Sequence, residues 1–205
     1  MKIGLIGAGR LGLCLALLMD KAGYSVIASD VREDYINGLQ IGEVTTTEPL
    51  VGQYLDSARR IEFTTDNLRV IEESDIIFTL VLTPSLKNGS YDVSNVDDVV
   101  SDILKYGWDK DLSNKSLVIG CTTNPGDCDF FQDRLSETGI SVFYNPEFIA
   151  QGSIIKDLQN ADMVLLGGDG KHKGNLVNIY KKIQYGYKEP SIHLMSTKAA
   201  EITKI

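Results

Sequence analysis

Short apolar runs alternate with longer mixed segments along the whole chain. Ile3–Ile6, Ser25–Asp30, Arg60–Thr64, Asp75–Leu82, Ser116–Cys121, Val142–Tyr144, Met163–Leu166 and Ile192–Met195 predict strands, most of them continuous enough in Ile, Val, Leu and Phe to be buried on both faces. Between them, Glu33–Leu39, Ser94–Tyr106, Asp127–Thr138 and Lys173–Gln184 read as helices, and Leu11–Ala22 is apolar nearly all round, as a buried helix would be. Gly23, Gly42 and Gly139 fall where helices should stop, and Ser94 and Ser196 stand where caps should be. Strands alternating with helices predict an α/β domain whose parallel sheet is covered on both faces. A ligand then belongs at the carboxyl ends of the strands. The conspicuous turn residues sit there: Gly7–Gly12, Asp30, Thr83-Pro84, Thr122-Thr123 and Asn145–Glu147.

The first turn carries specific chemistry. Gly7-Ala8-Gly9-Arg10-Leu11-Gly12 follows the first predicted strand directly, and Asp30 closes the second. In this context Gly7 permits the tight turn, Gly9 lets a pyrophosphate approach the backbone, and Gly12 lets the helix pack on the strand. The helix start offers free N–H groups and partial positive charge to phosphates. Asp30 can accept from a ribose diol and would repel a 2′-phosphate, so NAD is the expected cofactor rather than NADP. The fold expected is a doubly wound, Rossmann-type, mostly parallel sheet.

Composition narrows the partners. The chain has 205 residues, 43% of them hydrophobic, and a formal net charge of −8. The acidic balance argues against nucleic acid and anionic membranes, and no apolar run is long enough to span a bilayer. Lys2-Ile-Gly leads straight into the glycine turn, so the start reads as a strand and not as a signal peptide. Three cysteines, Cys14, Cys121 and Cys128, are too few and too scattered for a disulfide framework, which points to a reducing, cytoplasmic compartment. No metal-ligand spacing is present, and His172 and His193 stand apart; no metal is expected. Cys121 ends a strand near the expected cofactor, but no histidine lies nearby in sequence to activate it, so a small core or strand-end role is expected.

The segment Tyr144-Asn-Pro-Glu147-Phe-Ile-Ala-Gln151-Gly-Ser-Ile-Ile-Lys-Asp157-Leu-Gln-Asn160-Ala-Asp162 resembles the signature of the UDP-glucose/GDP-mannose dehydrogenase family. Glu48-Pro49, Thr83-Pro84-Ser85, Gly89 with Asp92–Val96, Thr122–Gly126 and Ala200-Glu201-Ile-Thr-Lys204 match in order, so the resemblance covers essentially the whole chain. It implies an NAD-binding domain over 1–195 and the start of an inter-domain, dimerising helix at 196–205. That last segment has no stop signal, so the chain is expected to be a fragment or to continue in the natural protein. The implied activity is oxidation of a nucleotide sugar's C6 alcohol to a carboxylate, most simply UDP-glucose to UDP-glucuronate for polysaccharide synthesis. Two NAD are used, through a thioester on a cysteine absent from this sequence, in a homodimeric enzyme.

By the same resemblance Glu147 is the acid/base for water attack, Lys204 steadies negative charge on the substrate oxygen, and Thr123 lies beside the reacting centre. The cofactor set is Gly7, Ala8, Gly9, Arg10, Leu11, Gly12, Asp30, Arg32, Tyr35, Thr83, Pro84, Ser85, Thr122, Thr123 and Gln151. The substrate set is Glu147, Phe148, Ile149, Ala150, Gln151 and Lys204. Two positions depart from the family pattern. Gln151 stands where an acid is usual, and Tyr35 replaces the basic residue that follows the ribose acid, with Arg32 nearby to supply a cation. Two other readings stay open at this point: an oxidoreductase of the β-hydroxyacid dehydrogenase type, and a non-catalytic NAD-binding module.

Overall fold

The structure, a computed structural model, describes residues 1–149 and 152–205. Eight strands form one sheet: β1 (Lys2–Ile6), β2 (Ser25–Ser29), β3 (Ile61–Thr64), β4 (Ile76–Thr79), β5 (Ser116–Ile119), β6 (Ser141–Tyr144), β7 (Val164–Gly167) and β8 (Ile192–Met195). Their order across the sheet is β3-β2-β1-β4-β5-β6-β7-β8. The nine helices of the described residues are α1 (Arg10–Lys21), α2 (Glu33–Gln40), α3 (Val51–Ser57), α4 (Asn67–Glu73), α5 (Ser94–Tyr106), α6 (Asp127–Arg134), α7 (Ile154–Gln159), α8 (Lys173–Ile183) and α9 (Thr197–Lys204).

Strand side chains alternate between two cores, as the period of two requires. Ile3, Leu5, Val26, Ala28, Ile76, Phe78, Val118, Phe143, Val164 and Leu166 face α1, α2, α3, α7 and α8. Ile27, Ile77, Leu117, Ile119, Val142, Tyr144 and Leu165 face α4, α5, α6 and α9. Helix α1 is buried without interruption from Gly12 to Asp20, which accounts for its all-round apolar sequence. Gly4 has no room for a side chain: a Cβ there would lie 2.5 Å from Ser74 Oγ and 2.7 Å from Val70 Cγ1, so α4 rests directly on β1.

The sheet is mostly parallel, as the sequence predicts, with β7 pairing antiparallel to β6 at Tyr144 and Gly167. An apolar run carries no sign of its direction. Strand β8 runs parallel to β7, so both descend from the edge at which the other strands end. The runs expected to extend to Leu82 and Cys121 leave the sheet at Thr79 and Ile119, and the remaining residues turn outward at the ligand edge. Ser94 does not cap α5. It is the first helical residue, and Asp92 Oδ1 accepts its N–H at 3.0 Å. The helix expected over Asp127–Thr138 stops at Arg134 and continues as a separate 3₁₀ turn, Ser136–Thr138. Ser196 does cap the last helix, accepting from Ala199 N. Among the described residues no helix is long and apolar enough to cross a membrane.

Candidate active site at the carboxyl edge of the sheet

The glycine turn is clamped on two sides and open on the third. Gly7 has φ +99°, and a Cβ on it would lie 2.6 Å from the Leu80 carbonyl oxygen. The N–H groups of Gly7 and Ala8 both donate to Ser29 O, at 2.9 and 2.8 Å, fastening the turn to β2. A Cβ on Gly12 would lie 2.0 Å from Gly7 O, so α1 sits against the turn backbone. Gly9 differs: a Cβ there would meet nothing within 4 Å, and no side chain caps the helix start behind it. Open space above a helix start that has no side-chain cap is what a diphosphate requires.

Asp30 lies at the end of β2 with its side chain 9% exposed. Arg32 grips it with Nε to Oδ1 and Nη2 to Oδ2, both at 2.8 Å, and adds its own N–H at 3.1 Å. Burial pushes the Asp30 carboxyl up, but the Arg32 hydrogen bonds and charge outweigh it and hold the group below its ordinary value. The same guanidinium stacks 4.2 Å over the Tyr35 ring. The three residues singled out around the ribose acid therefore form one unit.

The loop after β4 is a small closed hairpin. Ser85 bridges Tyr91, and Asp92 N donates to Pro84 O at 2.9 Å. Thr83 is half-buried; Pro84 and Ser85 are exposed. Asn124 pins the hairpin to the turn after β5, accepting from Tyr91 N and donating to Tyr91 O. In that turn Thr122 is half-buried, while Thr123 is fully buried and gives its hydroxyl to Glu201 Oε1 at 2.9 Å.

Glu201 is a residue that sequence reasoning left as a bystander in a motif. Its carboxylate also accepts from Cys128 N at 2.9 Å and Gly126 N at 2.6 Å, so it caps α6 from 73 and 75 positions away. The available signal was negative: Gly126 begins α6 with no side chain to cap it. Glu48 does the same for α7, accepting from Gly152 N at 2.7 Å and Ile154 N at 3.2 Å. The turns on either side of the Asn145–Ile149 segment are thus each fastened by a buried carboxylate.

Glu147 sits half-buried between α8 and α9. Tyr180 Oη is 2.8 Å from Glu147 Oε1, and Lys204 Nζ donates to the main-chain oxygen of Glu147 at 2.7 Å. Burial raises the Glu147 carboxyl to about 7, with the Lys204 charge opposing it. Burial likewise lowers the Lys204 ammonium from its ordinary value, with Glu147 opposing. Lys204 Nζ also lies 4.7 Å from the centre of the Phe148 ring. Ile149 packs against the core that contains α1 and α7. Ala150 and Gln151 lie outside the described residues. None of the three cysteines is poised to ionise: burial pushes Cys14 and Cys121 up to about 12 and Cys128 higher still.

A doubly wound sheet with an open glycine turn at its carboxyl edge defines a dinucleotide-binding domain. The chain belongs to the UDP-glucose/GDP-mannose dehydrogenase family, whose NAD-binding-domain profile matches residues 1–184, and its cofactor is NAD. It is 29% identical over 195 residues to a UDP-glucose 6-dehydrogenase of Rhizobium meliloti, covering 89% of this chain and 44% of that protein. It is 28% identical over 198 residues to a GDP-mannose 6-dehydrogenase of Pseudomonas aeruginosa, with the same coverages. The solved ternary complex of GDP-mannose dehydrogenase from Pseudomonas aeruginosa superposes with a TM-score of 0.85 at 28% identity, over 100% of this chain and 48% of that one. The chain thus spans less than half the length of these relatives.

Proposed function

We propose that this chain is the cofactor-binding part of an NAD-dependent nucleotide-sugar 6-dehydrogenase, acting on UDP-glucose or a close relative and converting the C6 alcohol to a carboxylate. The observation that carries the reading is the pairing of Glu147 and Lys204 at the edge that holds the glycine turn. One is a carboxyl brought near neutrality, the other an ammonium partly stripped of water. Relatives named as UDP-glucose and GDP-mannose 6-dehydrogenases support the substrate class.

In this reading the Gly7–Gly12 turn holds the pyrophosphate with main-chain N–H groups, and Asp30 accepts from the adenosine ribose. Arg32 swings aside or shares the carboxylate, with Tyr35 as its resting platform. The Thr83-Pro84-Ser85 hairpin borders the adenosine side and Thr122-Thr123 the nicotinamide side. NAD, when bound, supplies the hydride acceptor. Glu147 takes and returns protons at a water or sugar oxygen, which a carboxyl near neutral pH does well. Lys204 steadies charge on the sugar oxygen from a partly dry position. Phe148 and Ile149 border the sugar. The thiol that traps the aldehyde comes from outside this chain, since its own cysteines stay protonated. Homodimerisation through the helix begun at Ser196, a cytoplasmic location and a role in polysaccharide synthesis complete the reading.

The test offers the natural protein containing this chain UDP-glucose, GDP-mannose and their N-acetylated relatives, and follows NAD reduction with product mass. Two NADH for each sugar acid formed is expected. No reduction with any nucleotide sugar would sink the proposal.

A further inference from the structure

The contacts of one hydroxyl decide where the proton near Glu147 resides. Asn145 is buried, and its Nδ2 donates to Leu165 O at 2.9 Å. A carbonyl only accepts, so this contact orients the amide and turns Oδ1 toward Tyr180. Tyr180 Oη is in hydrogen-bond contact with Asn145 Oδ1 and 2.8 Å from Glu147 Oε1. A phenol carries one proton. If Tyr180 gives it to Asn145, the contact with Glu147 is a hydrogen bond only when Oε1 carries a proton. If Tyr180 gives it to Glu147, two acceptor oxygens are pressed together at Asn145 with no proton between them, in a buried site where that is most costly.

We propose that Tyr180 is a positioning residue that accepts a hydrogen bond from the protonated Glu147 carboxyl and so keeps the proton on Glu147. The chain runs from Glu147 Oε1–H to Tyr180 Oη–H to Asn145 Oδ1, and Asn145 Nδ2–H closes on Leu165 O. It rests on the reading of Glu147 as the proton-handling group. Among the described residues, the titratable and charged groups facing Glu147 are Tyr180 from α8 and Lys204 from α9. Lys204 gives its hydrogen bond to the main-chain oxygen, not to the carboxyl, so a neutral Glu147 costs it no partner. The ammonium is then left with its charge unspent for an oxygen of the substrate. Burial raising the Glu147 carboxyl to about 7 agrees with a stored proton. The resting site begins with a proton to give and becomes a base once that proton has left.

The sign of a shift tests this. Carboxyl infrared titration of the chain, assigned by subtracting Glu147→Gln, gives the Glu147 midpoint with no substrate present. Tyr180→Phe keeps the ring and removes the acceptor, so the midpoint should fall by about one pH unit, because the neutral form loses its hydrogen bond. A midpoint that rises shows Tyr180 donating to the carboxylate, and an unchanged one shows no coupling; either overturns the proposal. A second measurement needs no variant. In an atomic-resolution crystal structure at about pH 5, below the shifted carboxyl value, the longer C–O bond of Glu147 should be the one to Oε1. Equal bonds, or the longer one at Oε2, would overturn the proposal. A falling midpoint with full turnover by Glu147→Gln in the natural protein would overturn the functional reading alone.

Discussion

Thr123 in the turn after β5 and Glu201 on α9 share a buried hydrogen bond of 2.9 Å across 78 positions of sequence. That bond, with those from Gly126 N and Cys128 N, sets the final helix on the turn that borders the expected nicotinamide side. Glu201→Ala should leave two buried donors and one half-buried donor without an acceptor and cost ~3 kcal/mol of unfolding free energy, read from urea midpoints. Glu201→Gln should cost less, because one oxygen remains. A stability loss below about 1 kcal/mol for Glu201→Ala would show that water replaces the carboxylate.

Gly9 and Gly12 should separate binding from folding. Gly9→Ala meets open space at φ −64°, so stability should stay within ~0.5 kcal/mol while NAD affinity drops. Gly12→Ala drives a methyl to within 2.0 Å of Gly7 O and should destabilise the domain by ~3 kcal/mol or more. Thermal melts with and without NAD read both effects. Equal NAD affinity in Gly9→Ala and wild type would remove the pyrophosphate from this turn.

Asp30 should make the chain prefer NAD to NADP in calorimetry. Asp30→Ala should weaken NAD binding by roughly 1–3 kcal/mol through loss of charged hydrogen bonds. Arg32→Ala should leave NAD binding intact or improve it, since the guanidinium occupies both carboxylate oxygens in the present arrangement. Equal affinity for the two cofactors in the wild type would contradict the role given to Asp30.

Glu147 should also leave a mark on stability. Its folded value of about 7 lies above that of an exposed glutamate. Below the unfolded value both states hold the proton, and the contribution is fully present. As pH rises from about 4.5 to about 7 the unfolded chain ionises first, so stability is lost over that window, by on the order of 2 kcal/mol after discounting for partial exposure. Urea midpoints at about pH 5 and pH 8 should differ in the wild type and converge in Glu147→Gln. A slope that persists in the variant assigns the effect to another group.

In the natural protein, Glu147→Gln should accumulate a covalent acyl adduct visible in intact mass, while Lys204→Ala should slow oxidation by roughly 3 kcal/mol of transition-state stabilisation without loss of NAD binding. The 205-residue chain by itself should produce no steady NADH from UDP-glucose. Turnover that vanishes in Cys121→Ala would reinstate that thiol as a nucleophile.

What could be read from the chain was local. The β1–turn–α1–β2 unit, the two-faced strands and the Ser196 cap follow from neighbours within a few positions. Helices α3, α4 and α7 escaped because six or seven residues hold too few turns for a helical period to show. Tyr180, Glu48 and Glu201 escaped because their partners lie 33, 104 and 73 or more positions away. Glu147 and Lys204 were found only through a motif, and no local spacing brings together residues 57 positions apart.

The reversal of β7 and β8 makes the last helix climb back to the edge from which ligands are reached. Lys204 follows Glu201 by three residues, so the two project from neighbouring positions on one face, and the first is bolted down while the second reaches the site. Such a helix works as a spindle. A roll of ~20° about its axis carries an atom about 6 Å from that axis through some 2 Å, enough to break or make a hydrogen bond. The Glu201 anchor, one helical turn before Lys204, limits that roll and so keeps the ammonium within reach of the Glu147 main-chain oxygen.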